Sequence, residues 1–88
     1  MSIHQKDTQP VVGAEKAFGQ AFQGLRKALG ISQERIALEA GCDRTTVSLI
    51  ERGLVSARLD TIVRMCQIMK IRPSELMRKM EESQFYRA

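Results

Sequence analysis

The stretch GCDRTTVSLIERG, residues 41–53, sets two arginines, two threonines and a serine around the aliphatics Val47 and Ile50. Wound as a helix at about 100° per residue, it places Val47 and Ile50 on an inner face. Thr45, Ser48, Leu49 and Arg52 fall opposite, with Arg44 and Thr46 on the two flanks at the amino-terminal end. A face meant only for water favours Glu–Lys pairs and strong helix formers. Threonine and serine are poor helix formers, yet their hydroxyls suit base edges and phosphates. Arg44 can fork onto O6 and N7 of a guanine, and a threonine methyl or Leu49 can meet a thymine methyl.

Other chemistry finds no footing. The single histidine, His4, stands in a polar amino-terminal stretch with no partner cluster, so it reads as a bystander. No Cys–His or Ser–His–carboxylate set can assemble around it, and there is no glycine-rich phosphate loop. Cys42 and Cys66 lie within apolar patterns at no metal-binding spacing. They read as free thiols used as small hydrophobes, which suits a reducing cytoplasm. These features predict a protein that is not an enzyme and needs no cofactor, metal or small-molecule ligand. The first ten residues hold no signal-type apolar run and nothing reaches membrane-spanning length. A net charge of +4 and a pI near 9.5 suit a polyanionic partner, although +4 is also an ordinary surface charge for a small domain.

Five helices are needed to position that face. Residues 1–13 read as a flexible tail, 14–81 as one domain and 82–88 as a carboxyl-terminal tail. From Ala14 to Gly30, Phe18, Phe22, Leu25 and Leu29 recur at helical spacing beside Ala17, Ala21 and Ala28. Gly19 and Gly24 inside this helix cost stability, and close packing would explain them. Ser32 caps a second helix, Gln33 to Ala40, with Ile36, Ala37 and Ala40 inward. Asp43 caps the third, Arg44 to Arg52. Ser56 is expected to cap a fourth, Ala57 to Met69, with the stripe Leu59, Ile62, Val63, Cys66 and Met69. Pro73 opens a fifth over 73–81, although Arg72 is a poor cap. Met65, Met69, Met77 and Met80 read as core or interface filler. No strand signal appears, and the expected class is a compact all-α domain.

Only Gly41, Cys42 and Asp43 join helices two and three. A turn this short containing glycine marks a helix-turn-helix. Ala37 is small enough for a close crossing, and Gly41 allows the positive φ that turns the chain. The runs GISQERIALEAGCDRTTVSLIERG and LDTIVRMCQIMKIRPSELM resemble the Xre/Cro-type helix-turn-helix family, the five-helix fold of phage repressors, over about residues 18–78. DRTTVSLIERG is similar, in addition, to the restriction–modification controller proteins of that family. The resemblance implies base-reading positions at Arg44, Thr45, Ser48 and Leu49. It implies phosphate or sugar–phosphate contacts at Gln33, Thr46, Arg52, Ser56 and Arg58, and a buried ion pair between Arg26 and Glu51.

The expected function is that of a sequence-specific regulator of double-stranded DNA. One recognition helix, 44–52, reads too few base pairs to be selective in a genome. A homodimer on a near-palindromic operator, its half-sites about one helical turn apart, is therefore expected. Met77 and Met80, with Phe85 and Tyr86, are the candidate dimer surface. RNA polymerase and a partner toxin are further candidate partners. An antitoxin that binds its toxin and regulates itself is the alternative, and a structural module that no longer binds DNA is a third reading. Gln33 and Arg44 argue against the last. Charges elsewhere, such as Arg64, Lys70, Arg72, Arg78 and Lys79, read as solvated.

Overall fold

Residues 13–86 are described by the computed structural model of the chain. The first twelve residues, His4 among them, and the last two lie outside that range. The helices are α1 (Ala14–Ala28), α2 (Gln33–Ala40), α3 (Arg44–Glu51), α4 (Leu59–Met69) and α5 (Pro73–Glu81), with no strand among the described residues. α1 packs on α3 and α5, α2 on α3 and α4, and α4 on α5. Phe22, Ile36, Val47, Ile50, Met65, Cys66 and Leu76 are the fully buried centre. Each faces inward on its helix, and burying these faces against one another stabilises helices that would be marginal singly.

The helix-turn-helix forms as its residues dictate. Ser32 Oγ accepts the Arg35 N–H at 3.0 Å and starts α2. Gly41 ends it at φ 72°, and the Cys42 N–H returns to the Ala37 carbonyl at 3.0 Å. Arg64 of α4 donates to the Ala40 carbonyl at 2.9 Å, satisfying an acceptor at the negative end of α2. Asp43 stands at the N-cap of α3 in extended conformation, but its carboxylate makes no cap hydrogen bond. Its contribution there reduces to its charge at the helix start.

Four expectations are corrected. α4 begins at Leu59, not Ala57: extended Arg58 is its N-cap, and the Ile62 N–H closes the first turn on the Arg58 carbonyl at 2.9 Å. Ser56 caps nothing, because its hydroxyl donates instead to Glu15 at 2.8 Å. The buried arc of α4 is also rotated. Leu59 and Val63 are 75% and 38% exposed while Met65 is fully buried, since α2 and α5 close on the arc through Ile62, Met65, Cys66 and Met69. In α1, Leu29 falls just past the helix end and is exposed, as is Ala28.

The start of α5 is sound despite Arg72. Glu75, the third helical residue, reaches back to accept the Arg72 N–H at 3.0 Å, so half of a capping box replaces the missing serine or threonine. No helix among the described residues is long and apolar enough to cross a membrane.

Candidate nucleic-acid interface

α3 is fixed from within by a charged residue. Glu51, its last residue, is buried, and its carboxylate takes the Arg26 guanidinium in a two-point ion pair, with Nη2 to Oε1 at 2.9 Å. Two carboxamides join: Gln33 Nε2 donates to the same Oε1 at 2.8 Å and Gln23 Nε2 at 3.2 Å. Arg26 Nη1 also donates to the Ile31 carbonyl at 2.7 Å. A single carboxylate thus ties α1, α2 and α3 together. Buried charges require such complete pairing, and no buried side-chain polar atom among the described residues lacks a partner. Gln23 was not found from the sequence. Its one signal was its place a turn before Arg26.

The outer face of α3 is differently furnished. Arg44 and Thr45 in the first turn and Arg52 at the C-cap are exposed, while Thr46, Ser48 and Leu49 are half-buried. None of the polar side chains of Arg44, Thr45, Thr46, Ser48 and Arg52 has a hydrogen-bond or ion-pair partner among the described residues. Some other cations are engaged, Arg35 with Glu39, Arg58 with Asp60 and Lys79 with Glu82, while Lys27, Lys70, Arg72 and Arg78 have no ion pair among the described residues. Arg44 shares a recess of about 380 Å³ with Gln33, Ser32, Lys27 and Glu34, so the start of α2 and the start of α3 open onto one space.

Two residues expected to meet the sugar–phosphate backbone, Ser56 and Arg58, have partners within the protein. Ser56 donates to Glu15, whose carboxylate would repel a phosphate, and it lines an apolar groove with Met77 and Met80. Arg58 sits on the outer surface of α4 with Leu59 and Val63. Its guanidinium is hydrogen-bonded to Asp60 at 3.1 and 3.4 Å. That bond raises the Arg58 pKa and lowers that of Asp60.

The candidate dimer residues separate into two places. Met77 and Met80 are half-buried and line a groove of about 240 Å³ with Phe18, Val55, Ala57 and Ile62. Phe85 lies on the opposite flank of α1, its backbone carbonyl against Gly13 and its ring 5.7 Å from the Lys16 ammonium. Tyr86 is half-buried and donates its N–H to the Ser83 carbonyl at 3.1 Å. No group of histidine, cysteine, aspartate or glutamate among the described residues could hold a metal ion. Burial pushes both thiol pKa values up, Cys42 half-buried beside Asp43 and Cys66 buried facing Glu75.

Comparison with known proteins gives a consistent result. The helix-turn-helix family model HTH_3 matches residues 23–76. The control protein C.BamHI of Bacillus amyloliquefaciens is 34% identical over 61 residues, 68% of this chain and 75% of that protein. Among solved structures, the restriction-modification controller protein C.AhdI from Aeromonas hydrophila is 39% identical. Its TM-score is 0.67, over 69% of this chain and 92% of that one. The clp gene regulator ClgR from Corynebacterium glutamicum reaches a TM-score of 0.77 at 17% identity, over 88% of this chain and 96% of that one. That likeness is one of fold alone.

Proposed function

Because the chain belongs to the Xre/Cro-like helix-turn-helix family, whose members are DNA-binding transcriptional regulators and not enzymes, we propose that it reads a specific DNA sequence as a homodimer. α3 enters the major groove of a near-palindromic operator. Arg44, Thr45, Ser48 and Leu49 meet base edges, and Gln33, Thr46 and Arg52 meet the backbone. The observation that carries this reading is the contrast within α3. Its inner end is locked by Glu51, while its outer polar groups have no protein partners among the described residues. A rigid helix with free donors supplies what base readout needs.

Gln33 can serve both sides. Its Nε2 bears two hydrogens, one for Glu51 and one for a phosphate. Phosphate contacts supply most of the affinity and make it salt-dependent. The groove at Met77 and Met80 supports the dimer, with a second copy covering its apolar lining. The identities to C.BamHI and C.AhdI support a role in controlling a restriction–modification system, exercised in the cytoplasm on the bacterial chromosome or a plasmid. A nuclease or methyltransferase reading frame beside this one is then expected, and a toxin frame is not.

The test is selection of bound duplexes from a random pool at about 0.15 M salt, with wild type and Arg44→Ala in parallel. A symmetric motif that loses one guanine preference in the variant supports the reading and gives Arg44 its base. No enriched motif for wild type sinks it.

A further inference from the structure

α1 carries a polar row, Lys16, Gln20, Gln23 and Lys27, at spacings of four, three and four, which puts all four on one flank of the helix. The row ends in two recesses, one at each end of α3. The first is the space that Lys27 and Gln23 share with Gln33 and Arg44. The second, about 510 Å³, is lined by Lys16, Gln20, Gln23, Arg52, Leu54 and Phe85, with Glu51 at its floor.

We propose that this second recess binds a backbone phosphate of the duplex, on the rim of the major groove opposite the phosphate met by Gln33. The proposal rests on the DNA-reading function argued above and adds a contact surface on α1 and the carboxyl-terminal segment. Three observations carry it.

The first is charge. Lys16 and Arg52 bring two cations; among the described residues, the Glu51 carboxylate is neutralised by Arg26 and Glu82 is paired with Lys79, while Glu15 keeps its charge and turns it toward Ser56 on the other flank of α1. The second is placement of the lysine. Its stem packs against the backbone of Gly53, and its ammonium is held over the Phe85 ring. Ser83 Oγ, bonded to Gln20 at 2.6 Å, fastens the segment that carries Phe85. These two contacts, at the stem and over the ring, bias the lysine toward the recess, which reduces the side-chain entropy an exposed charge loses on binding. The third is dimension. α3 has eight residues, and at about 1.5 Å per residue it spans about 12 Å. The major groove is about 12 Å wide. A helix of that length fits within the groove, and the two recesses at its ends are separated by about the distance between the groove's rims.

The experiment measures duplex affinity of the full chain from about 0.05 to 0.3 M salt, on the selected operator and on a scrambled duplex. Lys16→Gln is expected to weaken binding to both by about threefold to tenfold, with their ratio unchanged and the salt slope smaller by about one. Lys70→Gln, which removes one charge outside both recesses, leaves affinity near wild type. Operators with a single uncharged methylphosphonate then locate the contact. Neutralising one phosphate on the far rim weakens wild type and leaves Lys16→Gln unaffected. An unchanged slope and an unchanged methylphosphonate profile in Lys16→Gln, with wild type binding normally, overturn the proposal alone. Absence of salt-dependent binding by wild type overturns the reading beneath it as well. Thermal unfolding of Lys16→Gln at the wild-type temperature shows that its loss of affinity is not a loss of fold.

Discussion

Gly19 of α1 passes so close to the Ile50 carbonyl of α3 that no β-carbon fits between them, and the Glu51 carbonyl lies 2.6 Å from where that carbon would sit. Both obstacles are backbone, which cannot swing aside as a side chain would. Gly19→Ala is therefore expected to cost about 1–3 kcal/mol by overpacking, lowering Tm by about 4–8 °C per kcal/mol. Gly24, five residues on, has nothing within 4 Å of its added carbon. Gly24→Ala should gain about 0.5–1 kcal/mol from helix propensity alone. Urea unfolding of both variants checks the pair, and equal effects would refute the distinction.

The Arg26–Glu51 pair is expected to be strongly asymmetric under mutation. Glu51→Ala strands a buried guanidinium and should cost about 3–5 kcal/mol. Arg26→Met with Glu51→Leu removes both charges and should recover much of that loss. Equilibrium unfolding of the single and double variants decides. A double variant no better than the single would show that the charge left behind is not the cause.

The two thiols should differ in reactivity. Both have raised pKa values through burial, so both are mostly protonated where a free cysteine begins to ionise. Alkylation at mildly alkaline pH should label the half-buried Cys42 first and Cys66 only as the fold opens. The sign for stability follows from linkage. A thiol whose native pKa is raised contributes stability that is fully present below the ordinary thiol value. That contribution is lost as pH climbs through the native value. Mass spectrometry of time-resolved labelling checks the order, and Cys66 reacting as fast as Cys42 would contradict it.

Dimerisation through the Met77–Met80 groove should fail when a charge is placed in it. Met80→Asp is expected to shift sedimentation from dimer toward monomer. It should also abolish cooperative filling of two half-sites while leaving weak binding to one. A variant that remains dimeric would place the interface elsewhere.

Much of this arrangement was legible in the residues. Helical spacing gave all five elements, Gly41 gave the turn, and the wheel through Val47 and Ile50 separated the locked face of α3 from the free one. What was missed follows from contacts between distant segments. Ser56 looked like a cap because serines often are, but α4 starts later and Glu15, 41 positions earlier, takes its hydroxyl. The inward arc of α4 was misjudged because Leu59 and Val63 are as apolar as Met65, and only the positions of α2 and α5 choose among them. Phe85, a candidate for the dimer surface, lies beside its own α1 and remains partly exposed there. Gln23 carried only its place a turn before Arg26 as a signal, since a glutamine on a helix is usually solvated.

Among the described residues, Arg44, Thr45 and Ser48 hold nothing in place through their side chains, and the residues that hold α3 in place touch no base in the arrangement proposed. Selection can therefore act on the two groups separately. A change at Arg44 or Ser48 would alter the preferred operator with little penalty in stability. A lineage carrying this frame can drift to new target sequences by single substitutions, and a duplicated copy can escape cross-talk with its parent without first relearning how to fold.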